Sequence, residues 1–196
     1  MTQPGVEPEV LVMPEVLVVA DVEAWRAWLD EHEASSDGVW LMLAKKGTVT
    51  PTSLTYAQAL DEALCSGWID GQVKSLDDAT YKQRFTPRRR RSMWSQRNQG
   101  LVARLTDEGR MRPRGQAEID AAKADGRWDR AYAGSATAEV PPELRAALEA
   151  TPAAAAAFAA LNAQSRYAIL HPVMTAATDA TRARRIAAVL TRLTQP

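Results

Sequence analysis

Residues 55–87 read TYAQALDEALCSGWIDGQVKSLDDATYKQRFTP and hold the pattern that decides the fold. Thr55 and Gln58 have the spacing of a capping box, in which the hydroxyl accepts from the third amide and the glutamine reaches back. An apolar helical face follows, and Gly67 is a natural helix stop. The stretch therefore predicts a helix that leads into strands.

Two strands joined by a loop are predicted in the second half of this stretch, at 69–73 and 80–86. In the second strand, aromatic and amide side chains alternate with basic ones, so one face of the strand is basic. That basic face carries Lys82 and Arg84. Pro87 is expected to end the strand, because proline cannot donate a hydrogen bond to the ladder.

The segments before this stretch extend the pattern. Apolar residues at helical spacing predict a helix over 22–33, with Asp21 as its N-cap. The continuous apolar run at 38–44 predicts a buried strand, and 15–19 a short one.

The segments after it are predicted to be helical. Ser92 is expected to cap a helix that reaches Glu108, and Pro142 and Pro152 stand where prolines open helices. Pro172 predicts a break or kink in a later helix. The fold class is therefore α+β: a small antiparallel sheet packed with helices, followed by an all-helical C-terminal subdomain.

Composition divides the chain into four predicted parts. A flexible tail occupies 1–14, and an α+β domain occupies 15–132. A small-residue linker follows at 133–141, before a helical domain at 142–196.

Several classes of protein are excluded by composition. The chain is 46% hydrophobic, which is enough for a packed core. Cys65 is the single cysteine, and the two histidines are far apart, so no disulfide framework, metal site or cofactor is predicted. The N-terminus has no basic region, and acidic residues interrupt its apolar stretch, so no signal peptide is predicted. No apolar run is long enough for membrane insertion. A cytoplasmic location is expected.

Charge is distributed unevenly although the total is zero. The balance is −9 over residues 1–73, +8 over 74–114 and +1 over 115–196. Seven basic residues and no acidic residue lie from Lys82 to Arg97. Either acidic and basic segments neutralise each other, or a positive surface attracts an anionic ligand.

Four segments together resemble one family, the YdeI/OmpD-associated or bacteriocin-protection proteins. They are ALCSGWIDG at 63–71, RFTPRRRRSMWSQRN at 84–98, AKADGRWDRAY at 122–132 and TRARRI at 181–186. The resemblance extends over about 15–193. It implies an α+β region, a helical OmpD-associated C-terminal domain and a role in resistance to antimicrobial peptides. It implies no enzymatic activity, and the missing signal argues against a porin partner.

The first functional hypothesis is a non-enzymatic stress or resistance protein that binds a small anionic or aromatic ligand in a cleft. Arginine supplies charge-assisted hydrogen bonds and tryptophan a stacking surface. For Trp68 and Trp94, packing in the core is the alternative interpretation. For Asp70, the alternative is a structural ion pair with an arginine. The candidate ligand-binding residues are Trp68, Asp70, Tyr81, Arg84, Arg88, Ser92, Trp94 and Asn98.

Two other hypotheses stay open. The basic strip predicts a nucleic-acid-binding module whose affinity falls steeply with salt. An enzyme that uses Asp70 as acid or base ranks last, because no base–nucleophile pair is visible. The sequence specifies no oligomeric state. The residues of the basic strip are Lys82, Arg88, Arg89, Arg90, Arg91 and Arg97.

Overall fold

A computed structural model describes residues 16–195, so the predicted tail at 1–14 lies outside the described residues. Two compact units are present, one ending at Arg88 and the other beginning at Arg89. The α+β fold class is confirmed, since a small sheet is followed by helices. The predicted division at the 133–141 linker stays a prediction.

The first unit alternates helices and strands. They are β1 (Val16–Leu17), α1 (Val22–His32), β2 (Val39–Ala44), α2 (Tyr56–Cys65), β3 (Trp68–Ser75) and β4 (Thr80–Pro87). The strand order is β1-β2-β4-β3. β1 pairs with β2 in parallel, while the other two pairs are antiparallel. The sheet is therefore mixed, where a purely antiparallel one was expected.

Local signals account for both helices of this unit. The Asp21 side chain accepts from the Ala24 amide and begins α1. Thr55 and Gln58 form the predicted capping box at the start of α2. Gly67 then takes a φ of 72°, a conformation that glycine adopts without a Cβ penalty, and the chain turns into β3.

An aromatic cluster forms the centre of this unit. Trp25 of α1 is fully buried, and its ring lies 5.8 Å from Phe85 of β4 and 6.5 Å from Trp68 of β3. Its indole Nε1 donates to the carbonyl oxygen of Ala59 at 3.1 Å, which links α1 to α2. The two helices and one face of the sheet are thus held around a single indole.

The second unit is helical within its described residues. Its helices are α3 (Gln96–Asp107), α4 (Pro113–Ala124), α5 (Pro142–Glu149), α6 (Pro152–Ala159), α7 (Ala163–Met174) and α8 (Asp179–Thr194). Pro142 and Pro152 open α5 and α6 as predicted. α5 to α8 share a core that includes Leu144, Phe158 and Val173.

The predicted cap of α3 was wrong. Ser95, not Ser92, caps α3, because its hydroxyl accepts from the Asn98 amide at 3.1 Å. The Ser92 hydroxyl instead accepts from the Arg89 amide at 3.0 Å and closes a turn. At Pro172 a break or a kink was predicted; α7 does not break there, since it continues to Met174, and the kink stays a prediction.

His171 of α7 gives this unit a pH dependence. Its ring lies 4.7 Å from the Tyr132 ring and 5.8 Å from the Tyr167 ring. Burial, together with the nearby Arg185 guanidinium, lowers the pKa of His171 below its ordinary 6.5. Between these two pKa values the unfolded chain binds more protons than the folded chain, so stability is lost as the pH falls through 6.5.

We therefore expect the free energy of unfolding to decrease between pH 7.5 and 5.5, and to decrease less in His171→Gln. Urea denaturation at the two pH values measures how much the free energy of unfolding changes with pH. Carboxylates with a lowered pKa, such as Asp125, lose their stabilising effect only at more acidic pH. Equal slopes in the two proteins would contradict the assignment to His171.

Candidate functional site

The two tryptophans of the predicted cleft are core residues. Trp68 is 0% exposed, and its Nε1 donates to the carbonyl oxygen of Glu33 at 3.2 Å. Trp94 is 1% exposed and its ring lies 5.0 Å from that of Trp128. Neither ring presents a surface on which a ligand could stack.

Asp70 is held by a tyrosine. Its carboxylate accepts from the Tyr56 hydroxyl at 2.9 Å, where the sequence suggested an arginine partner. Tyr81 is half-buried, and burial raises the pKa of its phenol. Tyr81 pairs with Leu43 on the core side of the sheet, away from the basic residues of β4.

The arginines of the basic strip belong partly to the first unit and partly to the second. Arg88 closes the first unit: it is buried, and its amide donates to the Gly67 carbonyl at 2.9 Å. Arg89, Arg90 and Arg91 begin the second unit and are exposed. Arg97 is also exposed, on the first turn of α3.

Ser92 and Asn98 also belong to the second unit. The Ser92 carbonyl accepts from the Arg127 guanidinium at 2.9 Å, and Arg127 in turn pairs with Asp125 at 2.7 Å. Asn98 is buried, and its amide is capped by Ser95. These polar contacts hold the turn before α3.

Basic side chains gather on one face of the first unit's sheet, the face opposite Phe85. Strand pairing sets Arg84 opposite Trp40 and Lys82 opposite Met42. Lys74 of β3 pairs with Lys82 from the other side. Because directly paired residues point to the same face, Lys74, Lys82 and Arg84 share one face with Trp40. We call these four residues the cationic face.

Trp40 organises this face. The Lys74 ammonium lies 5.1 Å from the centre of its ring and the Lys82 ammonium 5.2 Å. Both distances are within the range of a cation–π interaction. Lys82 is only 5% exposed and Trp40 only 7%, so the lysine's aliphatic stem is packed away while its charge stays beside the indole.

Among the described residues, the cationic face has no counter-charge paired with its basic side chains. Within residues 16–195, none of its three basic side chains forms an ion pair or a side-chain hydrogen bond. Arg127, a buried cation of the second unit, does have a carboxylate partner, Asp125. Cations gathered without counter-charges attract an anion.

A glycine makes room for the arginine of this face. A Cβ at Gly38 would lie 2.6 Å from the Phe85 carbonyl oxygen and 3.0 Å from Nη2 of Arg84. Gly38 also has a φ of +124°, which L side chains rarely adopt. The turn before β2 therefore lies directly against β4 at the position of Arg84.

The chemistry available on the cationic face is electrostatic. Guanidinium and ammonium groups donate charge-assisted hydrogen bonds to oxyanions. The described residues include no cluster of histidine, cysteine or carboxylate side chains that could hold a metal ion. No described helix is long and apolar enough to cross a membrane.

Trp40 and Lys74 are not among the residues that the sequence singled out. The run at 38–44 indicated only a buried strand, and Lys74 lies in the loop region between the two predicted strands. The alternation in β4 did identify Lys82 and Arg84 on one face, and this is confirmed. Trp40 could not be placed on this face from the sequence, because the sequence does not show the register in which β2 pairs with β4.

Comparison with known families finds two matches along the chain, and the first of them extends across the boundary between the two units. Residues 17–118 match a domain of unknown function, DUF8412. The chain belongs to that family. Residues 137–195 match the family described as Bacteriocin-protection, YdeI or OmpD-Associated, so the expected resemblance is confirmed for the C-terminal part. No curated protein and no solved structure matches the chain.

The OmpD-associated match is narrower than the 15–193 expected from the motifs. The segments 63–71 and 84–98 fall within the DUF8412 region, and so does the whole cationic face. The segment 122–132 lies between the two matches. Only TRARRI at 181–186 lies inside the OmpD-associated region.

Proposed function

We propose that this DUF8412 protein is a non-enzymatic binding protein that holds a small, multiply charged oxyanion on the cationic face. The observation that carries the proposal is Lys82, a nearly buried lysine without a carboxylate partner in the described chain, beside Lys74 and Arg84. An anion of two or more charges would neutralise these cations together.

The ligand that we propose is anionic and not aromatic. Trp40 already has two ammonium groups over its ring and little exposed surface. Arg84 offers a planar fork that suits phosphate or carboxylate oxygens, and the two lysines act as point charges. A phosphate-like group is therefore the class of ligand that this set would bind best.

Nucleic acid is the weaker candidate. Single-stranded nucleic acid needs aromatic platforms on which bases stack. Phe85 is fully buried, and Tyr81 lies on the opposite side of the sheet from the cationic face. The exposed Arg89–Arg91 are the residues on which nucleic-acid binding would depend.

We place this binding within the protective role that the description of the C-terminal family names. The location that we propose is cytoplasmic, which agrees with the single cysteine, Cys65, being buried and free of any disulfide. In this proposal protection depends on capture of an anion and not on its chemical conversion.

Pyrophosphate titration by calorimetry tests the proposal. Lys82→Met keeps the packed stem and removes the charge, so we expect pyrophosphate to bind at least tenfold more weakly, about the effect of one charge-assisted hydrogen bond. Lys123→Met is a matched control, because the Lys123 ammonium lies 5.3 Å from the Trp128 ring in the second unit. We expect this control to bind within twofold of the unmodified protein.

The same titration distinguishes the alternatives. Equal affinities in the two variants, or no binding by the unmodified protein at low salt, would overturn the proposal. A short single-stranded oligonucleotide that binds more tightly than pyrophosphate, and is lost on triple replacement of Arg89–Arg91 with glutamine, would favour the nucleic-acid alternative.

A further inference from the structure

A groove runs between α7 and α8 in the second unit. Two cavities of about 260 and about 360 Å³ open along these helices. Ala168, Ile169 and Arg192 line both of them, so the two cavities form one continuous groove. The groove belongs to the C-terminal family region and shares no residue with the cationic face.

Small side chains leave this groove open. Ala168 of α7 and Ala188 of α8 are both exposed at its rim, and neither reaches across it. Its floor consists of Ile169, Val173 and Val189, which are buried members of the helical core. The groove therefore offers an apolar surface to a narrow ligand.

Two arginines of α8 carry positive charge along the groove. Arg185 and Arg192 are seven residues apart, so they lie on one side of the helix with a rise of about 10.5 Å between them. Within the described chain neither forms an ion pair. Arg182 of the same helix differs, since it pairs with Glu143 at 3.1 Å.

Pro172 adds a hydrogen-bond acceptor. Proline has no N–H, so the Ala168 carbonyl lacks the hydrogen bond that residue 172 of a helix normally donates to it. Both residues line the groove. The Pro172 carbonyl itself accepts from the Arg185 guanidinium, which holds that arginine at the end of the groove.

We infer that this groove binds an extended acidic peptide segment with two carboxylates on either side of apolar residues. In a polyproline-II conformation, residues three apart lie on one side with a rise of about 9 Å, close to the spacing of Arg185 and Arg192. The apolar residues between them cover Val173 and Val189, and a peptide N–H can donate to the Ala168 carbonyl. A fatty acid has one anionic group and no N–H donor, so it matches these features less well.

Fluorescence anisotropy of a labelled Glu-Leu-Val-Glu peptide tests the inference. We expect saturable binding to the full chain, at least fivefold weaker in Arg192→Gln. Ala188→Leu fills the groove with a residue of good helix propensity, and we expect no measurable binding. Arg184→Gln is the control, because Arg184 is exposed on α8 outside the groove. It should bind within twofold of the unmodified chain.

The remaining outcomes decide against the inference. Absence of binding by the unmodified chain would overturn it, and so would equal affinity for Gln-Leu-Val-Gln. An Ala188→Leu variant that binds normally while retaining its thermal stability would show that the peptide lies elsewhere. Displacement of the peptide by decanoate at lower concentration than by unlabelled peptide would identify an amphiphile site instead.

Discussion

Replacement of Trp25 with alanine is expected to lower the free energy of unfolding by about 3–5 kcal/mol, the range for large aromatic side chains removed from a core. The indole is fully buried among Trp28, Trp68 and Phe85. Its removal leaves a cavity where α1, α2 and the sheet meet. It also removes the hydrogen bond from Nε1 to the Ala59 carbonyl.

Urea denaturation followed by far-ultraviolet circular dichroism measures this effect without depending on tryptophan emission. Trp28→Ala is the matched control, since Trp28 lies on the same helix and stacks on Trp25 at 5.3 Å but is only half-buried. We expect Trp28→Ala to lower the free energy of unfolding by less than half as much as Trp25→Ala. If the two variants were equally unstable, Trp25 would not be the centre of this core.

Gly38→Ala is expected to destabilise the chain by about 3 kcal/mol, since it combines backbone strain with overpacking. The added Cβ would lie 2.6 Å from both the Phe85 carbonyl oxygen and the Thr86 Cγ2 atom. Neither can move without displacing β4. The same displacement would shift Arg84, so we also expect weaker pyrophosphate binding.

Gly100→Ala supplies the matched control for the same chemical change. Gly100 lies inside α3, and nothing lies within 4 Å of a Cβ built there. Alanine is the better helix former, so we expect the free energy of unfolding of Gly100→Ala to rise by about 0.5–1 kcal/mol. The midpoint temperature of thermal unfolding should therefore fall in Gly38→Ala and rise in Gly100→Ala. A stabilised Gly38→Ala would contradict the close approach of the turn to β4.

Features of the fold that depend on neighbouring residues could be predicted from sequence. The Asp21 cap and the Thr55–Gln58 capping box begin helices where expected, because each needs only side chains three positions apart. The alternation in β4 also gave its two faces correctly. In each case the decisive contacts lie within a few residues of one another.

Features that depend on distant contacts could not be predicted. Ser92 and Ser95 are equally good caps by residue type, and the distant contact that holds Ser92 in the turn before α3 is the hydrogen bond from the Arg127 guanidinium to its carbonyl. Trp68 could have been a core residue or a member of a site, and Trp40 stood only in a predicted buried strand. The pairing of β2 with β4, two strands distant in the sequence, sets Trp40 opposite Arg84 and close to Lys82.

The position of β3 at the outside of the described sheet has a consequence for self-association. An outer strand offers unpaired backbone groups to another chain, and natural sheets resist this with bulges and charged side chains. β3 has a register shift between Asp70 and Val73, and Lys74 follows the 61% exposed Val73. Lys74 places a positive charge on this outer strand, so we expect loss of that charge to reduce solubility as well as the anion binding proposed above.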